Sequence, residues 1–210
     1  MKIFGPQVIR FKVFICALAL ALTFSATSTG AKGLEGKIGD VISDGQWRFQ
    51  VMSMQMPESY AMKTDAEPYD YKDLSSFDLT KRIFMLKTGY KLVVVQCRAT
   101  NAQKSRKRLW VAVSDSANVR TALIDMGGSS HVPIGYDFEG GPIQTKPLEP
   151  GETITFAVVF SVPQDTQLKE LLFTLAANGE REQSKDVRVS LAEGAGETPT
   201  KGSGNDLASH

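Results

Sequence analysis

Apolar and polar side chains alternate with a period of two across residues 33–191. In Gln46–Val51, Trp47, Phe49 and Val51 share one side, while Gln46, Arg48 and Gln50 take the other. In Lys91–Thr100, Val93, Val95, Cys97 and Ala99 oppose Gln96, Arg98 and Thr100. Arg108–Asp115, Thr153–Pro163 and Asp186–Leu191 repeat the rhythm, and weaker versions lie at Gly36–Ile42, Val119–Asp125 and Leu168–Ala176. Extended backbone turns successive side chains to opposite faces, so this rhythm predicts half-buried strands. Leu148-Glu149-Pro150-Gly151-Glu152 suits a type II turn, with Pro fixing the first φ and Gly accepting a positive second one. Asn178-Gly179 suits a hairpin turn. About seven to nine short strands with turns between them predict an all-β, immunoglobulin-like antiparallel sandwich.

Two stretches break the rhythm. Residues 57–86 show little alternation and hold Pro57, Pro68 and the run Tyr69-Asp70-Tyr71-Lys72-Asp73. A segment this long usually covers something or carries function. Its Leu74, Phe77, Leu79, Ile83, Phe84 and Leu86 suit an insertion that caps a sheet face or edge, with a short helix expected over Asp73–Met85. Residues 192–210 are rich in Gly, Ser, Thr and Glu with one large aliphatic, Leu207, and are expected to be a disordered tail.

The first 31 residues read as an export signal. Lys2, Arg10 and Lys12 precede the apolar run Val13–Leu22, and small residues follow from Ser25 to Ala31. Cleavage is expected near residue 28 or 31. The run is too short for a stable membrane anchor, and Cys16 lies inside it rather than at a lipidation position. Removing residues 1–31 turns a net charge of +1 into −2 and leaves Cys97 as the single cysteine. This balance argues against a nucleic-acid partner and excludes a disulfide-dense scaffold. The expected location is secreted or periplasmic.

The order of features resembles a family of secreted bacterial immunoglobulin-like domains of unknown function, akin to the immunoprotective extracellular antigen. The residues that carry the likeness are Gly36-Lys37-Ile38-Gly39-Asp40, Trp47-x-Phe49-x-Val51, and Gly89 before Leu92–Val95 and Asn101. Leu148-x-Pro150-Gly151-Glu152 and Phe160-x-Val162-Pro163 complete it. These are turn and core positions, so the resemblance implies a fold and an envelope or extracellular setting. It implies no catalytic residues.

Candidate chemistry is sparse. His131, beside Ser129 and Ser130 in a Gly-rich loop, is expected to be a solvated histidine rather than the base of a triad. Cys97 is expected to pack in the core. Asp137 and Glu139, with Asp125, would present paired carboxylates for calcium or for hydrolysis if they shared an open face, but without an Asp-x-Asp-x-Asp-Gly spacing a hydrated turn at Gly140-Gly141 is the favoured reading. No phosphate-binding Gly loop occurs. Lys104, Arg106, Lys107 and Arg108 form the densest basic cluster, a candidate grip for an anionic partner. Met52, Met54 and Met56 would share the face opposite Trp47, Phe49 and Val51, with Met62 nearby. Three thioethers on one face could hold Cu(I); packing under the insertion is the alternative. These observations favour a non-enzymatic binding domain that needs no cofactor. Its partner would be a protein or an envelope component, and soft-metal binding through the three methionines is the second reading.

Overall fold

The computed structural model describes residues 34–64, 77–111, 120–141, 144–177 and 184–191. The chain divides into Met1–Ala31 and Lys32–His210, and every described residue belongs to the second unit. The export signal, the run at Tyr69–Asp73, the turn at Asn178-Gly179 and the tail lie outside the described residues.

The described residues contain strands and turns and no helix. Strands β1 (Leu34–Lys37), β15 (Lys185–Ser190), β14 (Leu168–Leu175), β8 (Thr121–Asp125) and β9 (Ser130–His131) form sheet I, in that order. Strands β10 (Gly135–Asp137), β13 (Thr153–Pro163), β7 (Tyr90–Asn101), β3 (Trp47–Gln55) and β2 (Ile42–Ser43) form sheet II. The two sheets make a β-sandwich, and β11 (Gly140–Gly141) pairs with β12 (Gln144–Thr145) as a separate two-stranded ribbon. Among the described residues the two sheets hold ten strands, counting the two-residue edges β2 and β9. The pairs are antiparallel except β1 with β15, which run parallel from Leu34↔Val187 to Lys37↔Ser190.

The inward faces meet as alternation requires. Trp47, Phe49, Val51, Val93, Val95, Cys97, Phe156 and Val158 from sheet II pack against Leu171, Phe173, Leu175, Val187 and Val189 from sheet I. Phe49 stacks on Phe173 with ring centroids 4.6 Å apart. Such buried side chains each contribute about 1.5–3 kcal/mol of transfer free energy, the dominant stabilising effect here. Burial also pushes the Cys97 thiol well above its ordinary range, which suits an inert core residue. The 148–152 turn closes as read. Glu152 N–H donates to Glu149 C=O at 2.9 Å and Gly151 holds φ of 80°.

The described part of the insertion forms a small sheet. Strands β4 (Ser59–Ala61), β6 (Ile83–Met85) and β5 (Phe77–Asp78) pair in that order. The helix expected over Asp73–Met85 does not form over its described part. Asp78 instead accepts hydrogen bonds from Thr80 N–H and Lys81 N–H at 3.0 Å, and Arg82 turns the chain with φ of 55°. This turn lets Phe77 and Phe84 meet at 4.6 Å and point together into one apolar cluster. The rest of that cluster is Leu92 and Val94 of β7 and Ala157 and Val159 of β13. The insertion therefore lies over the outer face of sheet II.

Strand β7 explains why a cover is needed. Leu92-Val93-Val94-Val95 are all buried, so both faces are apolar there. From Gln96 onward the strand alternates. Strand β13 mirrors this, with Ala157-Val158-Val159-Phe160 opposite Gln96-Val95-Val94-Val93. One half of the outer face of sheet II is thus apolar and covered, and the other half is polar and open.

Candidate functional site

The open half holds a recess of about 520 Å³. Arg48 and Gln50 of β3, Arg98 and Thr100 of β7, and Thr153 and Thr155 of β13 line it, with Val41 at one side. The register fixes this grid. Arg48 lies opposite Thr100 and Thr100 opposite Thr153, while the next row runs Gln50, Arg98, Thr155. All six side chains share a face because strand neighbours two apart do. The Thr100 and Thr153 hydroxyls share a hydrogen bond of 2.8 Å, and Gln50 donates to Gly39 C=O at 2.7 Å. Arg48 and Arg98 have no hydrogen-bond or ion-pair partner among the described residues. No carboxylate lines the recess. The alternation contained this signal, since Arg48, Gln50, Arg98 and Thr100 occupy the outward positions of two long strands. Their convergence needed the pairing of β3, β7 and β13.

The basic cluster at 104–108 is more engaged. Arg106 pairs with Glu149 at 3.1 Å, and Arg108 donates to Thr145 C=O at 3.1 Å. Lys107 has a partner of its own, and Lys104 is exposed. The cluster follows β7 at a rim, apart from the recess lining.

The methionines do not share the face that strict alternation gives them. The β3–β7 register shifts between Val51 and Ser53, so Val51 faces Cys97 while Met54 faces Val95. The extra residue of this bulge reverses the parity of the later positions in β3. Met54 consequently packs against the same core as Trp47, Phe49 and Val51. Met56 is exposed, Met52 is half-buried, and Met62 packs with Phe84 under the insertion.

Asp137 and Glu139 also separate. Asp137 is buried under the insertion and acts only as an acceptor. Tyr60 Oη–H donates to it at 2.7 Å, Lys63 N–H at 2.9 Å, Thr64 N–H at 2.8 Å and Thr64 Oγ1–H at 2.6 Å. Burial first, and then the Asp137 carboxylate, push the Tyr60 phenol well above its ordinary range. Glu139 is exposed and binds Lys146 at 2.8 Å, a contact that raises the Lys146 ammonium. A paired-carboxylate face for calcium or hydrolysis is therefore not formed by these two side chains.

His131 is not a solvated loop residue. It sits in β9, opposite Leu123 of β8, with its Nε2 3.0 Å from Asp125 Oδ2. Its side chain is only 19% exposed. Asp125 also accepts Ser129 N–H at 2.8 Å, and these two contacts, His131 foremost, hold its carboxyl below 3.8. No hydroxyl hydrogen-bonds to His131 among the described residues. Also among the described residues, no three His, Cys, Asp or Glu side chains gather as a metal site, and no helix is long and apolar enough to cross a membrane.

No protein-family model matches the chain, and no curated protein matches it. Its fold is similar to that of solved bacterial proteins. One is an uncharacterized β-sandwich protein from Clostridium difficile 630, at 12% identity and a TM-score of 0.43, with 76% of this chain and 95% of that one covered. Another is the yjhA protein from Bacillus subtilis, at 14% identity and a TM-score of 0.45, with 74% and 98% covered. A third is a conserved hypothetical protein from Bacillus anthracis, at 10% identity and a TM-score of 0.39, with 71% and 93% covered.

Proposed function

We propose that this protein is a non-enzymatic binding domain, exported to the periplasm or beyond, whose partner engages the open polar half of the outer face of sheet II. The observation that carries this reading is the recess around Arg48 and Arg98, two guanidiniums with no protein partner among the described residues. A sheet face that needs no ligand can be solvated by mixed charges; this one gathers two cations, three hydroxyls and the Gln50 amide, with Val41 at its side and no carboxylate. The groups that chemistry would use are committed to structure. Asp137 has four donors, Cys97 is buried, and His131 is engaged by Asp125. The signal-like N-terminus and the resemblance to secreted immunoglobulin-like domains support the extracytoplasmic setting.

The test is nuclear magnetic resonance titration of the protein with a defined panel of acidic oligosaccharides, phosphorylated glycerols, acidic peptides and neutral sugars. Saturable shifts at residues 48, 50, 98, 100, 153 and 155, with every panel compound recovered unchanged, support the reading. Shifts confined to other surfaces, no shifts at all, or conversion of a panel compound overturn it.

A further inference from the structure

We infer that the recess takes a phosphoryl group, held between Arg48 and Arg98; this rests on the binding-face reading above. The first argument is charge. Arg48 lies opposite Thr100 and Gln50 opposite Arg98, so the two arginines are diagonal neighbours on adjacent strands. Diagonal positions on one face are within reach of long side chains, and like charges so placed repel. Elsewhere in the protein a carboxylate partners an exposed arginine, as Glu149 does for Arg106 at 3.1 Å and Asp186 does for Arg120 at 3.0 Å. Neither Arg48 nor Arg98 has one among the described residues, so an external anion is what the arrangement lacks.

The second argument is the donor inventory. A guanidinium presents its N–H groups as a planar fork. Two such side chains line this recess, with two further hydroxyl hydrogens. One belongs to the Thr100–Thr153 pair, in which a single hydroxyl donates to the other and leaves one hydrogen over. The other belongs to Thr155. A carboxylate has two oxygens in one plane and matches a single planar fork bidentately. A phosphoryl group has three terminal oxygens in a tetrahedron and can accept from both forks and a hydroxyl at once. The lining supplies donors in that number and, apart from the Gln50 carbonyl and the hydroxyl oxygens, nothing that would repel the oxygens. The recess is open to solvent, as exposed Arg48, Arg98, Thr153 and Thr155 require. The phosphoryl group can therefore arrive on the end or side of a larger molecule.

The experiment titrates the protein with inorganic phosphate, glycerol 3-phosphate, a dimethyl phosphodiester and acetate at fixed ionic strength. Binding is followed by the Nε–H resonances of Arg48 and Arg98. Phosphate or its monoester should bind at least about tenfold more tightly than acetate. Arg48→Gln and Arg98→Gln should each weaken that binding about tenfold or more. Lys169→Gln, on sheet I, should leave it unchanged, and retained spectral dispersion shows that each variant folds. Tighter binding of the monoester or diester than of inorganic phosphate identifies an esterified source; the reverse order identifies the free ion. If acetate binds as tightly as phosphate at these residues, the phosphoryl assignment falls and the binding face stands. If phosphate binds the Arg48→Gln and Arg98→Gln proteins as well as the parent, the assignment falls. If neither these anions nor the wider panel perturbs the recess, both readings fall.

Discussion

Tyr60 donates its phenolic hydrogen to Asp137 across 2.7 Å, joining the insertion to a strand of sheet II 77 positions further along the chain. Asp137 is 4% exposed, so the bond is shielded from water. Hydrogen bonds to charged groups contribute about 1.5–3 kcal/mol when made. Tyr60→Phe should therefore loosen the insertion by roughly that amount. Amide exchange of Ser59–Ala61 and Ile83–Met85 should accelerate, while exchange in β14 stays slow, because the cover can open without the sandwich. Asp137→Ala should do more, since it leaves the Lys63 and Thr64 amides without their acceptor.

Gly135 is required by a neighbour rather than by its own backbone. A Cβ at this position would lie 2.3 Å from Phe84 Cζ. Gly135→Ala should cost about 1–3 kcal/mol, as overpacking does. The double variant Gly135→Ala with Phe84→Leu should recover part of that loss. A double-mutant cycle from urea denaturation measures the coupling; an additive result would show that the two residues do not contact.

Much of the fold was legible because a period of two needs no tertiary information. The strands at β3, β7, β13, β14 and β15 follow directly from Trp47, Val93, Ile154, Leu171 and Val187 and their alternating partners. The bulge after Val51 was not legible, since one extra residue leaves no mark in composition. That is why Met54 changed faces. The cover was half visible: Leu92–Val95 and Ala157–Phe160 abandon alternation at positions that turn out to pair. Its strand character was hidden because Phe77 and Phe84 also fit a helical spacing. The recess was least legible. Arg48 and Arg98 lie 50 positions apart and become neighbours only through register. The run at 104–108, dense in sequence, is instead partly consumed by Glu149 and Thr145.

Asn101 shows how one core amide secures a turn. It is fully buried, donates to Ser105 C=O and Leu148 C=O at 2.9 Å each, and accepts Gln103 N–H at 3.0 Å. Its backbone also bonds Glu152 and Gly151. Asn101→Ala removes every side-chain bond while the carbonyls and amide remain. The expected loss is about 1–3 kcal/mol. Urea denaturation should show a lower midpoint with an unchanged slope, the sign of lost stability without altered compactness.

The His131–Asp125 contact gives sheet I an acid-sensitive edge. The His131 hydrogen bond, and next the Ser129 N–H, hold the Asp125 carboxyl below its ordinary 3.8. A group lowered on folding stabilises the native state above its unfolded value. That contribution is present above about pH 3.8 and fades as pH falls through the lower folded value. His131→Asn should move the Asp125 carboxyl back toward 3.8. The stability gap between parent and variant should then be open at pH 5 and narrow as the solution is acidified below 3.8. Carbon-13 titration of the Asp125 carboxyl reads the first effect, and urea midpoints taken across the same range read the second. Identical carboxyl titration in the two proteins would show that the Ser129 and Gly127 amides set the value and that the imidazole contributes nothing to it.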